Sequence, residues 1–328
     1  MITYRKFDEK RRFGVELEVG NSVKKPKIKA LIQENTDRIV KSSRYSLSTS
    51  NFYWHVKDDS TCGPMGNNGP KGIEIASFIA RGLNDLKEIA DIADLLIKSK
   101  VEVNNNCGLH IHADASDIDS NVAGIIIANW LKIESFLSLA LPRRRFSIYC
   151  ELLLTTLGKQ YNKFFENKNL KSVDFYKHFM PNNLSYYGNI DRRVNLNFVN
   201  YYRSVLTGSD VRKTIELRWP EGTLNSKDIT NWVKLYLNFI DNAKNLNIPK
   251  KWEVTLDDFL DILGLGKNNI LDENLIETKM WLLERILNNT DFEINKYICE
   301  LYNSDGKIGL PIVGKEEILN HLNYISKL

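Results

Sequence analysis

Only five histidines and four cysteines occur among the 328 residues. The cysteines, Cys62, Cys107, Cys150 and Cys299, are far apart and none sits in a Cys-x-x-Cys pair. Their spacing therefore supports neither a disulfide framework nor a zinc ribbon, and a reducing compartment is expected. An excess of one charge is also lacking: 45 Lys and Arg against 41 Asp and Glu leave a net +4. Basic residues are interleaved with acidic ones and form no stripe, so no nucleic-acid partner is expected. No apolar run precedes the charges of "MITYRKFDEKRRFGVELEVG", which argues against a secretory signal. The most apolar stretch, "NVAGIIIANWLKIESFLSLAL" (121–141), carries Lys132 and Glu134 in its middle, which favours a buried helix over a membrane span. There is no GxxxxGK[ST] loop, so a P-loop enzyme is not expected. No repeat or low-complexity tract is visible. These absences leave a cytoplasmic globular protein, 43% hydrophobic and 26% charged, which is ordinary for that class.

What is present reads as strands and helices in mixed order. Alternation marks "RRFGVELEVG", "FYWHVKDDS", "GIEIASF", "VEVNNNCGLHIHAD", "VNLNFVNYY" and "RKTIELRWPEGTL" as strands. Helical character marks "IKALIQENTDRIVKSSR", "LNDLKEIADIADLLIKSK", the 121–141 stretch and "FSIYCELLLTTLGKQYNKFF" (146–165). "CGPMGNNGPKG" and "PNNLSYYGNIDRR" are loops by composition. From about Ser226 onward the chain is helical with short Asn/Gly/Pro breaks. The expected fold is α+β, a mostly antiparallel sheet with helices packed on one face. The expected division is a domain over 1–245 and a helical C-terminal extension over 246–328 packed on it.

Three strands carry polar pairs two residues apart, a spacing that points both side chains out of one sheet face, roughly 7 Å apart. They are Glu16 and Glu18, His110 and His112, and Glu216 and Arg218. Glu74 stands alone between Ile73 and Ile75, and a further strand ends in Asp58-Asp59. Singly each pattern is ordinary surface; Glu-x-Arg on an exposed strand is worth little. Together they describe one polar face on which carboxylates would repel unless a cation sat among them. Glutamates with histidine suit Mg²⁺ or Mn²⁺, and arginine supplies the planar fork that phosphate oxygens accept from. Metal, carboxylate and guanidinium beside glycine-rich loops are the parts of phosphoryl transfer.

In order, "FGVELEV", "WHVKDDS", "GIEIAS", "CGLHIHAD", "VNLNF" and "TIELRWPEGTL" resemble the amidoligase family, carboxylate–amine ligases related to glutamine synthetase and γ-glutamylcysteine ligase. The resemblance runs from about Phe13 to Ile240. It implies a glutamine synthetase-like sheet whose polar face holds ATP and two or three Mg²⁺ ions. It also implies that a carboxylate is activated as an acyl phosphate and then captured by an amine. Carried onto this chain, Glu16 and Glu18 would bind different ions, with Glu74 and Asp58 completing the first site. His110 would join Glu18 and Glu216 at the second, His112 would face the nucleotide phosphates, and Arg218 would touch the transferred phosphate. Arg145, among Arg143 to Arg145, and Arg192 or Arg193 are further phosphate or substrate contacts. The chain has Asp58-Asp59-Ser60 where the family has Asp-Gly-Ser, so either aspartate could be the ligand. It also has Ser77-Phe78 where the family has Ser-Pro.

The implied partners are a carboxylate substrate and an amine substrate, the latter an amino acid, polyamine, peptide or protein, with no membrane and no nucleic acid. The residues leave two other readings open. A metal-dependent hydrolase would use the histidines and glutamates to activate water and would need no ATP. A non-catalytic nucleotide-binding or scaffold descendant would not need the full acidic set. Oligomeric state is open.

Overall fold

A computed structural model describes residues 3–20, 22–43, 52–62, 71–142, 150–153, 167, 169–179, 194–208, 213–289 and 315–325. In chain order its strands are β1 (Thr3–Arg5), β2 (Arg12–Val19), β3 (Ile39–Ser43), β4 (Tyr53–Asp59), β5 (Gly72–Ala76), β6 (Ala80–Arg81), β7 (Leu109–Asp114), β8 (Leu196–Asn197), β9 (Thr214–Leu217) and β10 (Asn269–Leu271). The helices are α1 (Lys25–Glu34), α2 (Gly82–Lys98), α3 (Ser120–Leu137), α4 (Ser172–Phe179), α5 (Val199–Thr207), α6 (Ser226–Asn242), α7 (Leu256–Ile262), α8 (Glu273–Asn289) and α9 (Lys315–Ile325). The class is mixed α+β, as expected.

The main sheet runs β3-β4-β5-β2-β7-β9-β8, with β6 paired to β2. Every pairing in it is antiparallel except β3 with β4. Strict alternation gives the sheet two faces. Val15, Leu17 and Val19 of β2, Trp54 and Val56 of β4, Ile73 and Ile75 of β5, Leu109 and Ile111 of β7, and Ile215 and Leu217 of β9 are all buried. On that side α1 packs on β3 and β4, α6 on β7, and α2 on α6.

Helix α3 starts at Asp119, whose carboxylate accepts from Val122 N–H at 2.8 Å, a side-chain N-cap. With its continuation to Ala140 it is long and apolar enough to cross a bilayer, but 89% of its apolar 18-residue window is buried inside the protein. Trp130 packs against Trp219 and Phe239. Buried Glu134 accepts from Leu153 N–H and Asn195 Nδ2, so the charge in the middle of this helix is satisfied by neighbouring chain.

The segment after Asn245 shares the same core. Strand β10 pairs in parallel with β1, and Asp272 accepts from Phe7 N–H at 3.1 Å. Helix α8 packs on α6 and α9 on α8. Arg285 of α8 donates to the Ala140 carbonyl and pairs with Glu221 and Asp228.

Three sequence expectations are corrected. The helix expected over 28–44 ends at Glu34, and Ile39–Ser43 is an edge strand. Asn35, Thr36 and Asp37 break the helix, and β-branched Ile39 and Val40 follow. "VNLNFVNYY" is a strand only at Leu196–Asn197. Asn197 Oδ1 then accepts from Val199 N–H, and α5 runs on to a left-handed Gly208. In the helix expected over 146–165 only residues 150–153 are described, and Glu151 there bridges to Val194. Their polar groups go to tertiary partners: Cys150 to the Arg218 carbonyl, Leu153 to Glu134.

Candidate active site

The second sheet face is assembled by register. Glu16 of β2 stands between Ala76 of β5 and His110 of β7, and Glu18 stands opposite Glu74. His112 stands between Gly14 of β2 and Glu216 of β9. Asn197 of β8 is the other partner of Glu216, and Lys57 of β4 is opposite Glu74. Since directly opposed residues have Cβ atoms about 5 Å apart, strands distant in sequence deliver their polar side chains to one place.

The side chains converge further than the register requires. His110 Nδ1 lies 3.3 Å from Glu16 and 3.7 Å from Glu216, and its Nε2 lies 3.5 Å from Glu18. His112 Nε2 lies 3.4 Å from Glu16 and 3.8 Å from Glu216. Glu216 is itself held: Asn197 Nδ2 donates to one oxygen at 2.8 Å and Arg218 Nη1 to the other at 2.6 Å. The Gly108 N–H donates to Glu18 at 2.5 Å. Arg218 is placed by its own backbone, whose N–H donates to the Asn195 carbonyl. The Asn195 side chain is fixed in turn by Trp130 and Glu134.

Charge in this cluster is unevenly matched. Burial pushes the Glu16 carboxyl up, but His112 and His110 outweigh it and hold it well below the usual range. Burial also opposes ionisation of Glu216, and Arg218 with the two histidines prevails. His112 is the counterpart: burial lowers it, yet Glu216 and Glu16 raise it to about 9. Glu74 goes the other way, driven up by burial and by Glu16 despite its 2.5 Å pairing with Lys57. Carboxylates packed this closely need positive charge among them, and an imidazole proton supplies some of it here.

The donor atoms of Glu16, His112 and Glu216 all lie within 4.8 Å of one another. His112 Nε2 is buried, faces both carboxylates and makes no hydrogen bond. Two carboxylates and an imidazole are a hard-to-borderline donor set that fits Mg²⁺ or Mn²⁺.

A family model described as "Putative amidoligase enzyme" matches residues 9–240. The chain belongs to this amidoligase family. The description is of enzymes that form amide bonds. A comparison with curated proteins gives no match.

Within the amidoligase stretch the structure brings together Glu16, Glu18, His110, His112, Glu216 and Arg218, with Glu74 beside them. Asp58 is not among them. It stands opposite Ile73, on the apolar side, and accepts from Lys25 Nζ at 2.7 Å. Asp59, opposite Gly72, is the aspartate that faces the polar side, near Glu18. Alternation decides this, because neighbouring residues on a strand cannot share a face. Arg145 and Arg193 lie outside the described residues. Sequence reading missed Asn197, which orients Glu216, and Lys57, which pairs with Glu74. The signal for both was parity: Lys57 is an odd number of residues from buried Trp54 and Val56, and Asn197 from buried Leu196.

Proposed function

We propose that this amidoligase is an ATP-dependent carboxylate–amine ligase acting through an acyl phosphate. The observation that carries the reading is the convergence of Glu16, Glu18 and Glu216 on two histidines, with Arg218 bonded to Glu216. That is more carboxylate than the local side chains neutralise, beside a guanidinium suited to phosphate. Glu16, Glu216 and His112 would hold one Mg²⁺, a change from the sequence expectation that gave His112 to the phosphates. Glu18 with Asp59 or Glu74 would serve a second, and His110, wedged among Glu16, Glu18 and Glu216, would fix their orientation. The metal would offset the repulsion between ATP and an anionic substrate and stabilise charge building on the transferred phosphoryl group.

In the balanced reaction a substrate carboxylate oxygen attacks the γ-phosphorus and ADP leaves. The amine nitrogen then attacks the acyl carbon, phosphate leaves, and a proton is lost from nitrogen. Arg218, held at fixed length from Glu216, would donate to the transferred phosphoryl oxygens. No protein nucleophile is required.

The test is a calorimetric titration of a non-hydrolysable ATP analogue, with and without Mg²⁺, into wild type, His110→Ala and Glu16→Gln. Micromolar binding that requires Mg²⁺ and weakens at least about tenfold in both variants is expected, an effect of roughly 1.4 kcal/mol or more. No binding to folded wild type at millimolar nucleotide would overturn the reading and favour metal-dependent hydrolysis or a scaffold role.

A further inference from the structure

A third histidine shares the polar face but not the acidic cluster. Trp54 and Val56, on either side of His55 in β4, are buried in the core, so alternation turns His55 onto the polar side. It is 8% exposed, and both ring nitrogens are buried with no hydrogen-bond partner among the described residues. A buried imidazole with neither nitrogen bonded is costly to keep unless it serves a ligand.

Its surroundings are basic. Register sets Lys41 of β3 on one side of His55 and Ala76 of β5 on the other. Ala76 is in turn opposite Glu16, and Glu16 opposite His110. One row across the sheet therefore reads Lys41, His55, Ala76, Glu16, His110. With about 4.8 Å between strands, His55 stands about 10 Å from Glu16, and only the Ala76 methyl group lies between them in that row. Ala76 is part-exposed, so this floor is open to solvent. Lys57, two residues along β4, shares the face and pairs with Glu74. Lys41 is exposed and has no carboxylate partner among the described residues. Its ammonium lies 3.6 Å from the centre of the Tyr53 ring, which meets the His55 ring edge-on. Burial, Lys41 and Lys57 all lower the His55 pKa, so the ring is neutral at pH 7 with one N–H to donate. Two ammonium groups and an imidazole N–H beside an open floor are donors for an oxyanion.

We propose that Lys41, His55 and Lys57 form an oxyanion subsite on the β3–β4 side of the polar face, taking a carboxylate or phosphate group of a ligand that lies over Ala76. The ammonium groups supply charge, and the buried imidazole supplies direction. The acidic cluster then holds the cationic half of the face and this row the anionic half. The subsite needs neither metal nor ATP. Only the source of its oxyanion rests on the ligase reading: a carboxylate of the acid substrate, or a phosphate of the nucleotide.

The test uses the full chain without Mg²⁺ or nucleotide, titrated at constant ionic strength with inorganic phosphate and, separately, with malonate. The His55 ring is followed by NMR; its signal, among five histidines, is the one missing from His55→Gln. A saturable shift of that signal with a millimolar midpoint is expected. Lys41→Ala, at an exposed position, should weaken binding about tenfold through loss of a charge-assisted contact. Ala76→Leu, which fills the floor, should weaken it at least as much. Lys25→Ala should leave it unchanged, because Lys25 pairs with Asp58 on the other side of the sheet. No saturable His55 shift in the folded chain would overturn the subsite, as would a midpoint unchanged in both Lys41→Ala and Ala76→Leu. Adding the Mg²⁺–ATP analogue then identifies the source. Competition with malonate assigns the subsite to a nucleotide phosphate, and simultaneous binding assigns it to the acid substrate. Malonate binding at His55 in a chain that binds no nucleotide would uphold the subsite and overturn the ligase reading alone.

Discussion

Arg11 and Glu16 lie on one run of chain at the start of β2, and each anchors a cluster of charge, yet the two clusters are built differently. Around Arg11 the charges are complete. Its guanidinium donates to both Asp117 oxygens at 2.9 Å and to Asp241 at 2.6 Å, and Lys244 pairs with the same two aspartates. Two cations meet two anions, which is how a structural cluster is normally closed. Around Glu16 the count fails. Glu16, Glu18, Asp59, Glu74 and Glu216 face Arg218 and Lys57, and the histidines supply whatever further positive charge there is. A protein that builds a neutral cluster a few residues away has no structural need for such an excess. This imbalance is what the proposed metal site rests on.

The largest effect expected from breaking this contrast is on the balanced side. Arg11→Met leaves two aspartates without their main partner and should cost about 3–5 kcal/mol in urea unfolding. Nucleotide binding per folded molecule should be unchanged. On the unbalanced side, ligand should stabilise. At Mg²⁺–nucleotide concentrations about a hundredfold above Kd the gain should be about 2.7 kcal/mol. Glu16→Gln should cut that gain to about 1.4 kcal/mol or less, and Arg11→Met should keep it; an undiminished gain in Glu16→Gln would place the ligand elsewhere.

Smaller effects sharpen the comparison. Glu74→Gln removes a carboxylate already raised by burial and by Glu16. The metal-free chain should stay within about 1 kcal/mol of wild type, because the amide resembles the neutral acid that burial favours and the partner Lys57 is part-exposed. Asp58→Asn should also cost under about 1 kcal/mol, its partner being only the part-exposed Lys25, and should leave nucleotide binding intact. The smallest effect is the acid response of Asp117. Burial opposes its ionisation, but Arg11 and Lys244 lower its pKa to about 2 from an unfolded 3.8. Its contribution is therefore full above pH 3.8 and is lost as pH falls through 2. Half exposed, it should account for less than about 1 kcal/mol, seen as a flatter acid limb in Asp117→Asn.

The site was legible where it rests on parity within one strand. Glu16 with Glu18, His110 with His112 and Glu216 with Arg218 each declare a shared face by spacing alone. Asp58 against Asp59 was legible by the same parity, since Trp54 and Val56 put Asp58 on the apolar side, but matching to the family's Asp-Gly-Ser left either aspartate open. The edge strand Ile39–Ser43 was hidden inside a helical reading, since five residues are too few for alternation to outweigh a preceding helix. The strand expected at "VNLNFVNYY" was overridden by a local event, the turn in which Asn197 Oδ1 accepts from Val199 N–H, which leads the chain into α5.

By itself, then, the sequence determined the alternation of the main strands, the acidic and histidine content of one face, the burial of α3 and the family. These follow from periodicity and residue type, which are local. The tertiary structure decided which strands are neighbours, and so which carboxylates repel and which histidine lies between Glu16 and Glu216. Pairing order in a sheet is set by packing across the whole chain. A spacing of two residues can assign a face, but only the assembled sheet brings Glu16 within reach of a glutamate from β9.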